Sequence, residues 1–421
     1  MLLLIIYWII SPIIWILIPV LSIFNYKIRH RWINYKYLVR NSINQIKKNN
    51  SIKEIILFHA ASSGEFEQLK PILRLVDRSK YYILLSFSSP TIFMPEKHTK
   101  LADSVCYHPF DFIWSAFYFL KKLKIKYYII SRNDIWPSHL YIAHFLNINT
   151  ILVNANLYKK IHFQSWPYRS FFKLLFNKFN LIFTSSNRLK KNLNNLLPNN
   201  KIYVSGDSRV DQVLERKNEN NYYYLNNYYE KSKKIILGSL VPSDYPVIFE
   251  SLKSIYPNGS KDLKTKNQCI IIVPHEMNKN EIKKIESRLD NLNFEYIYFS
   301  QIDKCDNKRI IIIDQIGILA ELYAYTDLAY IGGGFGQGVH SVIEPSIYFN
   351  AISFGPNFQI LDMAVTLSDN KLASIIRTPK DFIEFYYLIN DDKKLSEIKL
   401  NIEDYILKQT KASEKIINLI F

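Results

Sequence analysis

The sequence predicts an α/β protein built from two doubly wound domains behind an apolar anchor helix. Three observations carry this expectation. Short runs rich in Ile, Val, Tyr and Phe alternate with amphipathic stretches along most of the chain. A length of 421 residues suits two ordinary domains. A polar, Asn-rich break interrupts the alternation near the middle. Hydrophobic residues make up 48% and aromatics 15%, which excludes wholesale disorder.

Residues 1–25 form the anchor. "MLLLIIYWIISPIIWILIPVLSIF" carries no charge through Phe24. At 1.5 Å per residue it is long enough for a hydrocarbon core of about 30 Å. Pro12 and Pro19 are tolerated in such helices. The basic stretch "NYKIRHRWINYKYLVR" follows at once, which places the rest of the chain on the cytoplasmic side. A cleaved signal peptide needs a charged start and a small-residue cleavage site, and neither is present. Spanning the bilayer and lying in its interface both remain open here.

Residues 26–214 form the first domain. "EIILFHA", "YYILLSF", "DSVCYHP", "KYYIISR", "TILVNAN", "NLIFTSS" and "KIYVSGD" read as strands, with helical spacing between most of them. Residues 215–234 are the linker. Residues 235–392 resume the alternation with "IILGS", "QCIIIVP", "FEYIYFS", "RIIIIDQ", "LAYIGGG" and "AISFGP". Residues 393–421 read as one amphipathic C-terminal helix. Strand–helix alternation implies parallel sheets covered on both faces. Ligands of such sheets bind outside the carboxyl ends of the strands. Residues just after strands, facing a cleft between the domains, are therefore the candidates.

The formal net charge of +17 points to an anionic partner, although part of it reflects a Lys- and Asn-rich composition. No nucleic-acid-binding motif accompanies it. Cys106, Cys269 and Cys305 are far apart and form no CxxC pair, which argues against a disulfide framework or a zinc site. The nine histidines form no HExxH or ligand triad, so no bound metal is expected.

"HAASSGEFEQLKP" follows the first strand. Ser62-x-x-Glu65 is a capping box. Glu65 is equally placed to face a ligand as a general base, and a helix N-terminus favours its ionised form. Gly64 permits close approach of a ligand to the backbone. "YIGGGFGQGVHSVIEPS" is the second locus. Gly332, Gly333, Gly334, Gly336 and Gly338 fill a loop between a strand and a helix, where bare N–H groups cradle phosphate. The spacing is neither G-x-G-x-x-G nor a P-loop. Glu344, in the helix that follows, could accept ribose hydroxyls. Lesser signals are "LGSL" with Ser239, "VPHE" with Pro274 and His275, "SGDSRVD" with Arg209, and "RNDIWP" with Asp134 and Trp136.

Together these motifs resemble the Kdo (3-deoxy-D-manno-octulosonic acid) transferases, membrane-anchored glycosyltransferases of the GT-B fold. The family's "H-A-x-S-x-G-E" is matched by His59, Ala60, Ser62, Gly64 and Glu65. Its "E-L-W-P" appears as Asp134 to Pro137, its "N-A-R-L" as Asn154 to Leu157, and its "G-x-x-K-x-D" as Gly206, Arg209 and Asp211. Its "G-G-H-N-P-L-E" region appears as Gly338, His340 and Glu344. Arg132, Arg209, Ser341 and His275 stand where the family usually has an acidic residue, Lys, Asn and Arg. The resemblance implies transfer of Kdo from CMP-Kdo to a lipid A precursor at the inner membrane, with inversion, no further cofactor and no nucleic acid. Glu65 would be the base. Ser62, Gly64, Asp134, Trp136 and Arg209 would bind substrate. Ser239, Pro274, His275, Gly333, Gly334, Gly336, Gly338, His340, Ser341 and Glu344 would bind the nucleotide. The alternatives are a GT-B transferase of a UDP- or GDP-sugar and an inactive relative.

Overall fold

A computed structural model describes residues 2–48, 53–158, 168–197, 201–219, 225, 229, 231–304 and 308–421. Two compact units emerge: Met1–Gln212 together with Thr410–Phe421, and Val213–Gln409.

The first unit opens with helices α1 (Leu2–Phe24) and α2 (Tyr26–Lys48). Seven strands follow: β1 (Glu54–Ala60), β2 (Tyr81–Phe87), β3 (Ser104–Tyr107), β4 (Ile125–Ser131), β5 (Asn149–Ala155), β6 (Leu181–Thr184) and β7 (Ile202–Val204). They form one parallel sheet in the order β3-β2-β1-β4-β5-β6-β7. Helix α3 (Ser63–Leu75) joins β1 to β2. Successive side chains of a strand point to opposite faces. Leu57, Leu84, Tyr128 and Leu152 therefore fill one core layer, while Ile56, Phe58, Ile83 and Ile129 fill the other. Both layers are covered, so the strands read as unbroken apolar runs.

The second unit holds β8 (Lys233–Leu240), β9 (Gln268–Pro274), β10 (Tyr296–Tyr298), β11 (Ile310–Ile312), β12 (Leu328–Ile331), β13 (Ala351–Phe354) and β14 (Ala373–Ile375). All are parallel, in the order β10-β11-β9-β8-β12-β13-β14. Every strand expected from the sequence is present, and β14 is an addition.

The expected single C-terminal helix is two, Asp392–Gln409 and Ala412–Ile420. Lys411, at φ 63°, breaks it. The second helix belongs to the first unit: its Ile416 is fully buried there, and Asp211 accepts the N–H groups of Lys411 and Ser413, both at 2.8 Å. Of the expected linker, residues 215–219 end a helix running Ser208–Glu219, while 220–224, 226–228 and 230 lie outside the described residues, as does Cys305.

Among the described residues one helix is long and apolar enough to cross a membrane, Leu3–Phe24. Only a narrow stripe of it, Leu4, Ser11, Ile18 and Ser22, is buried; most other positions are exposed, with Ile9, Ile16 and Ile23 at 68%, 66% and 67%. Its start is tied to the first unit. Tyr7 donates to Asp111 Oδ2 at 2.5 Å, and Trp8 Nε1 donates to Ser138 Oγ at 3.2 Å.

Candidate active site

In the first unit the strand order reverses between β1 and β4, where a doubly wound sheet offers its crevice. The loops after these two strands supply Glu65 and Asp134. Ser62 caps α3 and Glu65 reaches back, completing the capping box. Glu65 Oε2 accepts the N–H of Ala61 at 2.7 Å and of Ser62 at 3.2 Å. The side chain is nearly buried, at 8% exposure. Burial raises its pKa above the ordinary glutamate value, and Asp134 adds to the rise; the Ala61 N–H, His59 and Arg132 oppose it. Gly64 sits on the same turn, and a Cβ there would meet nothing within 4 Å. The surface beside the carboxylate is open.

Asp134 is the hub of this locus. Its Oδ2 accepts from Trp136 Nε1 at 2.8 Å and Ser88 Oγ at 3.1 Å, and lies 2.8 Å from His59 Nε2. Burial alone would raise its pKa, but these partners outweigh it and bring it down to about 2. His59 is fully buried at the end of β1, with Nδ1 2.9 Å from Ser86 Oγ on β2. Trp136 is wedged between the Arg31 guanidinium, 4.8 Å from its ring, and the stacked His108 ring at 5.5 Å. Arg31 is itself buried and donates to the carbonyls of His108 and Pro109. His108 touches both His59 and His139, at 4.2 Å between ring centres. His139 Nδ1 lies 2.9 Å from Asp111, which also holds Tyr7 of α1. Helices α1 and α2 thus reach the Asp134 locus through unbroken contacts. Arg31, His59, Ser88, His108, Asp111 and His139 were not among the expected site residues. His59 opens the matched motif, and Ser88, His108 and Asp111 follow strands, whereas Arg31 and His139 lie in helices and carried no signal.

Arg209 opens the helix after β7, half-buried, its N–H on Asp207 at 2.9 Å. Gln68 of α3 also donates to Asp207, and Ser208 donates to the Gln68 carbonyl. Asn154 at the end of β5 donates to Ser208 at 2.8 Å.

In the second unit the order reverses between β8 and β12; the glycine loop follows β12, Ser239 lies near the end of β8, and Pro274 and His275 stand at the end of β9. Ser239 lies at a bulge in β8 with φ 52°, a strained conformation for a residue with a Cβ. The glycine loop packs onto it: a Cβ on Gly332 would lie 2.2 Å from the Ser239 carbonyl oxygen. The loop corrects one expectation. Its N–H groups are not bare. Those of Gly332, Gly333, Gly336, Gly338, Val339 and His340 all bond protein acceptors. The following helix, Ile343–Ile347, is also too short to build a strong dipole. Close backbone packing requires Gly332, Gly333 and Gly334 instead, while a Cβ on Gly336 or Gly338 would first meet the Ser243 or Ile360 side chain.

Asp244 organises this loop and was missed. Fully buried, it accepts the N–H groups of Val241 and Gly333 at 3.0 Å and the Tyr330 hydroxyl at 3.1 Å. His340 stacks on exposed His275, 4.0 Å between ring centres. Burial, then His275, lowers the His340 pKa to about 4, so His340 is neutral at neutral pH. Ser341 donates to Glu344, and Pro274 is buried at the end of β9. Backbone crowding makes a test: a Cβ on Gly334 would meet the Gly355 backbone N at 2.5 Å, with no flexible side chain to yield. Gly334→Ala should destabilise the second unit by about 1–3 kcal/mol, read as a lower urea midpoint.

Comparisons agree with this architecture. Residues 29–212 match the family model described as 3-deoxy-D-manno-octulosonic-acid transferase (kdotransferase). A 3-deoxy-D-manno-octulosonic acid transferase of Rickettsia bellii is 25% identical over 86% of this chain and 86% of its own. A bifunctional glycosyltransferase/methyltransferase of Fusobacterium nucleatum is 22% identical over 86% of this chain. The match spans only 57% of that longer protein. Among solved structures, a UDP-N-acetylglucosamine 2-epimerase from Listeria monocytogenes superposes with TM-score 0.63 at 11% identity, covering 87% of this chain and 96% of that one. MurG of Acinetobacter baumannii gives 0.54 at 12% identity, covering 87% and 99%. These likenesses show the fold, two parallel-sheet α/β domains of the GT-B class. Over most of its length, the chain is similar in sequence to Kdo transferases.

Proposed function

We propose that the chain is an inverting glycosyltransferase that moves Kdo from CMP-Kdo to a hydroxyl of a lipid A precursor. The observation that carries this reading is Glu65: a nearly buried carboxylate beside an open glycine surface, at the switch point of the first sheet. Glu65 would take the proton of the acceptor hydroxyl as its oxygen attacks the anomeric carbon. The bond to the CMP phosphate breaks with its electron pair, and the configuration inverts. Asp134 and Trp136 would shape the sugar pocket. Because the glycine-loop N–H groups are largely spent, and the Ser341 hydroxyl donates to Glu344, the Ser239 hydroxyl, with His275, is the better candidate for the nucleotide phosphate. In the first unit Arg209 is the candidate cation for the substrate, and in the second Glu344 would accept from the ribose hydroxyls.

The membrane fits a lipid acceptor. We place the protein on the cytoplasmic face of the inner membrane, with α1 lying in the interface rather than spanning it. Tyr7 and Trp8, at the start of α1, bond to the sheet-bearing unit, whereas a spanning helix would carry one end about 30 Å away. The exposed stripe of Ile9, Ile16 and Ile23 would then enter the bilayer.

The test is transfer from CMP-Kdo to a lipid A precursor in detergent, with CMP and UDP as competitors. Transfer inhibited by CMP supports the reading. Inhibition by UDP alone would assign another donor, and CMP binding without transfer would mark an inactive relative. Gly64→Ala sharpens the test. Alanine fits the empty space and should stabilise α3 by up to about 1 kcal/mol. It should nonetheless lower transfer, because the methyl occupies the surface offered to the acceptor.

A further inference from the structure

A cavity of about 280 Å³ lies in the first unit between α1, α2 and the segment following β3. Its walls are aromatic. Trp15 of α1, Tyr35 of α2, and Phe112, Trp114 and Tyr118 line it. Phe112 and Trp114 stack face to face at 5.0 Å, giving the wall a flat, rigid panel. Trp114 and Tyr118 remain 46% and 54% exposed, so a wet, apolar surface persists at its mouth.

Two cations sit on this cavity. Lys36 and Arg40, one turn apart on α2, both line it, and both are exposed. Neither is ion-paired to a described residue, and the Lys36 ammonium lies 6.0 Å from the ring of Tyr35 in the cavity wall. No acidic residue lines the cavity, and α2 contains none. The nearest carboxylate in the segment, Asp111, is buried and spent on His139 and Tyr7. An apolar slot beside two uncompensated charges matches one chemistry, an acyl chain joined to a phosphate. The volume, near the low end of ligand pockets, suits a length of single chain rather than a whole two-chain lipid.

We propose that this cavity is a binding site for an anionic glycerophospholipid of the bilayer. One acyl chain enters the aromatic slot, and the phosphate sits between Lys36 and Arg40. The site rests on the interfacial placement of α1, which brings the cavity mouth to the headgroup level. It is distinct from the Glu65 locus and gives the protein a preference for an anionic membrane surface.

The full chain is tested in two measurements. The first is flotation with phosphatidylcholine vesicles, with and without phosphatidylglycerol. The second is quenching of tryptophan fluorescence in detergent by phosphatidylglycerol with brominated chains, against phosphatidylcholine with the same chains. Quenching should saturate with phosphatidylglycerol at lower concentration, and Trp114→Phe should reduce its amplitude. Lys36→Gln and Arg40→Gln should each weaken that affinity about fivefold, with flotation on neutral vesicles unchanged. Flotation without any headgroup preference in quenching, or a preference untouched by Lys36→Gln and Arg40→Gln combined, would overturn the site while sparing the membrane reading. Quenching by a brominated lipid A precursor but not by phosphatidylglycerol would assign the cavity to the acceptor and also overturn it. No flotation on any vesicle would overturn the interfacial placement of α1 itself.

Discussion

Glu65→Gln should yield a folded protein whose sugar transfer falls by about 10²–10⁴-fold, the range for loss of a general base. The amide oxygen can still accept from the Ala61 N–H, so the cap survives. Stability at neutral pH should not fall. Burial raises the Glu65 pKa, which means that the folded state resists its charge, and glutamine removes that charge. A melting temperature at or above that of the parent, combined with lost transfer and retained CMP binding, isolates the base. An equally active variant would sink the proposed role. The sign of the pH dependence follows from the same shift. A base works ionised, so transfer should decline as pH falls through the raised Glu65 pKa, at a higher pH than an unperturbed glutamate with its value of 4.5 would give. Asp134→Asn removes a neighbouring negative charge that contributes to the rise. Whatever activity this variant keeps should therefore have its acidic limb moved to lower pH.

Asp134→Ala should be the most damaging single change to the first unit, at about 3–5 kcal/mol. It strips one acceptor from Trp136, Ser88 and His59 together, in a site where His59 has no access to water. The acid behaviour of the parent offers an independent check. The Asp134 pKa falls from 3.8 unfolded to about 2 folded. A depressed carboxylate contributes its stability above the unfolded value and loses it as pH drops through the folded one. This group should therefore supply about 2 kcal/mol above pH 4, lost progressively towards pH 2. Urea unfolding of parent and variant across that window measures the difference. If the gap between them does not narrow on acidification, the charge on Asp134 is not what holds the locus.

The sequence made the sheets legible because their strands are buried on both faces, leaving apolar runs such as "EIILF" and "CIIIV". β14 escaped because its three residues are only half-buried at a sheet edge. The break at Lys411 escaped because neither glycine nor proline marks it. The local motif at Glu65 was readable, since a capping box is a matter of spacing. The His59–Asp134 contact was not, since 75 residues separate them and only the β1–β4 pairing joins them. Asp244 was invisible for the same reason: its bonds to Tyr330 and Gly333 reach across almost 90 residues. In the glycine loop the enrichment was plain, but composition does not reveal whether missing side chains make room for an anion or for another stretch of backbone. Here Ser239, Asp244 and Gly355 fill that room.

The helix Ala412–Ile420 has a practical consequence for anyone dissecting the chain. Its Ile416 completes the core of the first unit, and Asp211 anchors its start. A fragment ended at Gln212 would expose that core patch and leave Asp211 idle. Chimaeras that graft a foreign second unit need two splice points, near 212 and near 410, with the final twelve residues kept from the original parent. A single cut near 212 would exchange the whole second unit together with the last twelve residues of the first.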